Sequence, residues 1–68
     1  MNAKQYLAAL DELGLSQIGA GAFFGVSPRT AQRYAADGPP QAVALLLQLL
    51  LDLSPTKRAA FIASVALS

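Results

Sequence analysis

The stretch Ser16-Gln17-Ile18-Gly19-Ala20-Gly21-Ala22-Phe23-Phe24-Gly25-Val26-Ser27-Pro28-Arg29-Thr30-Ala31-Gln32-Arg33-Tyr34-Ala35-Ala36-Asp37-Gly38 decides the fold. A serine just before an apolar run caps a helix, because its side-chain oxygen accepts an orphaned backbone N–H of the first turn. Ser16 therefore predicts a helix from Gln17 to Phe24. Ser27, followed by Pro28 at the first helical position, predicts another that ends near Ala36. Between them Gly25 supplies the positive φ of a sharp turn, and Val26 is expected to fill the angle between the two helices. Glycine inside a helix costs about 1 kcal/mol against alanine, so Gly21 calls for a reason, and close approach of the next helix is the expected one. Gly19 has no such account at the level of sequence.

The later of these two helices sorts by face. Ala31, Tyr34 and Ala35 recur at i, i+3, i+4 and point inward, with Thr30 at the edge. Arg29, Gln32, Arg33 and Ala36 form the opposite, outward set. Arginine pairs bidentately with guanine, and glutamine with adenine, in the major groove of DNA. Arg29 and Arg33 are the only charges between Glu12 and Asp37, so a chain of net charge +1 still carries a local positive patch.

Working outward, the same punctuation frames three more helices. Asn2 caps the first, whose apolar face is Tyr6, Leu7, Leu10 and Leu13, and Gly14 stops it. Pro39-Pro40 leads into the fourth, which runs to about Leu53. Ser54-Pro55 opens the fifth, expected to reach the C-terminus, with Lys57 and Arg58 as solvated cations in its first turn. The fourth is apolar over most of its circumference. Ala42, Leu45, Leu46, Leu49 and Leu53 make one stripe, and Val43, Leu47 and Leu51 a second. Gln41, Ala44, Gln48 and Asp52 make a narrow polar strip. Such a helix is central in a bundle or shared with a partner chain. The expected fold is all-α, a compact five-helix bundle over residues 1–68 as one domain.

In its motifs, Ser16 to Gly38 resembles the helix-turn-helix of lambda-repressor-like (Cro/Xre-type) DNA-binding domains. The matching residues are Leu15-Ser16-Gln17 at the opening of the second helix, the Gly25-Val26-Ser27 turn, and Thr30 with Arg33-Tyr34 ahead of the Asp37-Gly38 stop. Pro39-Pro40-Gln41-Ala42-Val43-Ala44 and the leucines after it resemble the fourth helix of a bacterial and phage-associated subgroup. The resemblance spans roughly residues 6 to 51. It implies that the third helix is the recognition helix, with base-edge contacts from Pro28, Arg29, Gln32 and Arg33 and backbone contacts from Gln17 and Ser27. The chain departs from the family at Gly21, where alanine is usual, at Ile18 and Phe23, where polar residues are usual, and at Pro28, a position that often carries a polar base-reading side chain.

Composition narrows the remaining possibilities. Cysteine and histidine are both absent, which removes disulfides, Cys/His metal sites, and thiol or imidazole catalysis. The carboxylates Asp11, Glu12, Asp37 and Asp52 are not spaced as a catalytic pair, and no phosphate loop or nucleophile elbow is present. The chain is expected to be no enzyme, to use no cofactor and to bind no small-molecule substrate. Its apolar run from Ala42 is broken by Gln48 and Asp52, well short of the ~20 residues of a membrane span. The segment Met1 to Tyr6 lacks the apolar stretch of a signal peptide, so a cytoplasmic location away from the membrane is expected. At 54% hydrophobic the chain is rich in apolar residues for its size. The outer leucines of the fourth helix, or Phe61, Ile62 and Val65, are candidates for a homodimer contact. The leading expectation is a sequence-specific double-stranded DNA-binding regulator of bacterial or phage type. The alternative is a protein-interaction module of the same fold that binds a partner through its apolar helices.

Overall fold

A computed structural model describes residues 1–66. Five helices follow one another, and among the described residues there is no strand: α1 (Ala3–Leu13), α2 (Gln17–Phe24), α3 (Pro28–Asp37), α4 (Gln41–Asp52) and α5 (Pro55–Ala66). The bounds agree with the capping signals to about a residue. The expected run of the last helix through Leu67 and Ser68 lies outside the described residues. No helix among them is long and apolar enough to cross a membrane.

Each early boundary has a local cause. Asn2 accepts the Gln5 N–H at 2.8 Å while the Gln5 side chain accepts the Asn2 N–H at 2.9 Å, a reciprocal capping box. Gly14 takes φ 73° and Gly25 φ 75°. In each case the next residue's N–H reaches back to close the helix, Leu15 to the Leu10 carbonyl and Val26 to the Gly21 carbonyl, both at 2.9 Å. Gly38 has φ 94°, and a β-carbon there would lie 2.9 Å from the Met1 carbonyl oxygen. The stop after α3 is thus wedged against the start of α1, a long-range reason for glycine beyond its conformational freedom.

The core forms where α1, α2 and α4 meet: Tyr6, Ala9, Leu10, Ala20 and Leu47, with Phe24, Tyr34, Ala35, Val43 and Leu51 packed against it. Tyr6 is fully buried, its ring edge-on to Tyr34 with centroids 6.2 Å apart. Among the described residues its hydroxyl has no hydrogen-bond partner. Burial, and secondarily the neighbouring Tyr34, pushes the Tyr6 phenol above its ordinary pKa.

The fourth helix corrects the sequence reading. It buries Ala44, Leu47 and Leu50, whereas Leu45 and Leu49 are 54% and 60% exposed. Ala44, assigned above to the polar strip, faces the core, and the stripe holding Leu45 and Leu49 is largely solvated. The helix therefore lies on one side of the bundle, with solvent along its outer face. Arg58 is also placed differently from the expectation of a solvated cation. It is half-buried, and its Nη2 donates to the Leu51 and Leu53 carbonyls, each at 3.2 Å. These are orphan acceptors at the end of α4, where a cation also complements the helix dipole. Lys57 is exposed as expected.

Candidate nucleic-acid interface

The site is built on the close crossing of α2 and α3. Gly21 is buried, and a β-carbon on it would lie 2.7 Å from the Ala31 β-carbon. Two small residues at the contact let the helices approach, and this fixes the inward side of α3. Ala31 is buried, and Tyr34 and Ala35 are half-buried. Arg29, Gln32, Arg33 and Ala36 on the other side are all exposed. Among the described residues, no hydrogen bond ties down the side chains of Arg29, Gln32 or Arg33. They stand ready to donate outward, and holding them there demands nothing of the core.

The inferred contact residues divide between two flanks of α3. Gln17, Pro28 and Gln32 come together with Ser16, Ile18 and Ala31 around one groove between the starts of α2 and α3. Arg33 lines a different hollow, with Thr30, Tyr34, Asp37 and Gly38. The positive face therefore has one acidic border, at Asp37. Arg29 lies between the flanks by helical position.

Backbone donors complete the surface. Ser16 Oγ accepts the Gly19 N–H at 2.9 Å, which leaves the first-turn N–H groups of Gln17 and Ile18 with no intrahelical acceptor. In α3, Pro28 has no N–H to satisfy, and Ser27 Oγ accepts the Thr30 N–H at 3.2 Å while donating to Thr30 Oγ1, also at 3.2 Å. The Ser27 hydroxyl is thereby engaged in capping. The start of α2, with free N–H groups, an exposed Gln17 and the positive end of its dipole, is the better-equipped neighbour for an anion. The cap distance also bears on Gly19. A β-carbon there would sit 2.9 Å from Ser16 Oγ, a crowding that arises only from the geometry of the cap.

No family model matches the chain, and comparisons with curated proteins and with solved structures likewise find no match. The functional reading accordingly rests on the residues themselves.

Two features stand out beyond the DNA-contact residues inferred from sequence. Ile18 is 74% exposed, more than any other large apolar side chain described, and it forms a wall of the groove that holds Gln32. Ser16 lines the same groove as well as capping α2. The signal for Ile18 was an apolar residue in a first helical turn whose buried face is Ala20, Gly21 and Phe24.

Proposed function

We propose that the chain is a sequence-specific double-stranded DNA-binding module, with α2 and α3 forming a helix-turn-helix and α3 entering the major groove. The observation that carries this reading is the exposed, unencumbered face of Arg29, Gln32 and Arg33 beside the start of α2, where the Ser16 cap leaves the Gln17 and Ile18 N–H groups without an intrahelical acceptor. In this reading Gln32 and Arg29 address base edges, with Pro28 packed beside them. Arg33, close to the end of α3, addresses base or phosphate. Gln17 and the α2 backbone donors hold a phosphate, and Ser27 contributes chiefly by capping α3. Phosphate contacts fix register, and base-edge contacts supply sequence preference. One helix reads only a few base pairs, so a symmetric site calls for a homodimer. The biological role that follows is transcriptional regulation of bacterial or phage type in the cytoplasm, without catalysis.

Fluorescence anisotropy with random-sequence duplexes across a salt series tests the reading. Binding whose log–log salt slope is negative supports it, because cationic side chains release counterions from the phosphates they neutralise. Absence of binding even at low salt refutes it.

A second reading has its own observation. Ile18, Leu45, Leu49 and Phe61 are all substantially exposed, as a module that binds a protein partner through apolar helices would require. The two readings separate on the Arg29, Gln32 and Arg33 side chains, whose removal abolishes function only in the first.

A further inference from the structure

An exposed isoleucine is unremarkable alone, since scattered apolar residues are common on protein surfaces. Ile18 differs in its setting. It shares a groove with Pro28, Ala31 and Gln32, so an apolar wall and an apolar floor adjoin a side-chain amide. The nearest charges along α3 are Arg29 and Arg33, which suit a polyanion. A ligand that fits must therefore be anionic overall, offer a paired donor and acceptor to Gln32, and present a small apolar projection to Ile18 and Pro28. In the major groove adenine offers N6–H and N7 for a bidentate glutamine, and thymine alone among the bases projects a methyl group.

We propose that Ile18, with Pro28, reads the 5-methyl group of a thymine adjacent to the adenine addressed by Gln32. The preferred site then contains an A·T step at the position of this groove. The inference rests on the DNA-binding reading and adds a specificity-determining residue from α2 to those on α3. It also gives the exposed Ile18 side chain a use that burial does not, since its contact area is kept for the ligand. Removing one buried methyl forfeits the transfer free energy of about one CH2 group, which corresponds to roughly four-fold in affinity.

The test begins with duplexes selected from a random library by the full chain. Each thymine of a selected site is then replaced in turn by uracil, which deletes only the 5-methyl group, and affinity is measured for the parent and for Ile18→Ala. The expected result is roughly four-fold weaker binding by the parent at one or two thymine positions, with no such loss for Ile18→Ala at those positions. Ile18→Ala should also keep the parent's salt slope. If duplexes are bound but every uracil replacement acts equally on both proteins, or the selected sites lack thymine, the role of Ile18 is overturned while DNA binding stands. If the library yields no bound duplex at low salt, the DNA-binding reading falls and this inference falls with it.

Discussion

The β-carbon of Ala31 lies 2.7 Å from where a β-carbon on Gly21 would stand, so the crossing of α2 and α3 is set by the absence of one methyl group. Gly21→Ala gains about 1 kcal/mol of helix propensity but overpacks the contact, which typically costs 1–3 kcal/mol. The expected net effect is a destabilisation of about 1 kcal/mol in urea unfolding. Ala31→Gly in the same chain should restore room, so a double-mutant cycle should show favourable coupling between the two changes. Additive effects would mean the helices separate freely.

Tyr6 gives a prediction of opposite sign. Its ring is fully buried and its hydroxyl is unpartnered among the described residues. An unsatisfied buried polar group costs about 1–3 kcal/mol, so Tyr6→Phe should leave stability unchanged or raise it. Tyr6→Ala should cost about 3–5 kcal/mol through the cavity it opens. Burial raises the phenol's pKa above its ordinary value of 10.0, so the folded state holds its proton at pH values where the unfolded state has lost it. Stability is then fully present below pH ~10 and falls as pH rises through the folded pKa. Tyr6→Phe should flatten that alkaline decline, as chemical denaturation between pH 8 and 11 would report.

These contacts bear on how much was legible in the sequence. Ser16, Gly25, Ser27 and Pro28 act through their immediate neighbours, so the turn and the starts of α2 and α3 could be read directly. Gly21 was legible because an interior helical glycine is costly enough to imply a close contact. The buried face of α4 was not, because a helix apolar nearly all round has no polar side to orient it. Ala44 meets the core while Leu45 and Leu49 stay exposed, and tertiary packing alone makes that choice. The capping role of Arg58 depends on the angle between α4 and α5, and the wedge of Gly38 against Met1 on the path of the whole chain. At the candidate interface the outward set on α3 followed from periodicity. The separation of Arg33 from the groove of Gln17 and Gln32 required the relative placement of two helices.

The attachment of α5 yields another prediction. Among the described residues, no α5 side chain belongs to the buried core cluster. Its contacts include the Arg58 bonds to the Leu51 and Leu53 carbonyls at the end of α4 and Phe61, 44% exposed, edge-on to Phe23 at 6.2 Å. Few buried contacts mean low local stability. Amide hydrogen exchange should be faster in α5 than in α1 and α4, and Arg58→Ala should accelerate it further, with little change in α1. Uniform protection across the five helices would contradict this.

In the proposed function, recognition and folding are carried by opposite faces of α3. The most direct measurement combines thermal unfolding and duplex affinity for Arg29→Ala/Gln32→Ala, using a duplex selected by the parent chain. Both side chains are exposed, so Tm should stay close to that of the parent. Each lost base contact should weaken specific binding by about 1–3 kcal/mol and relax preference at its base pair. Arg33→Ala serves as the internal comparison: where Arg33 meets phosphate, its loss weakens all sequences alike and reduces the salt slope by about one. A double variant that keeps both the parent's Tm and its affinity for every duplex would contradict this division between the two faces.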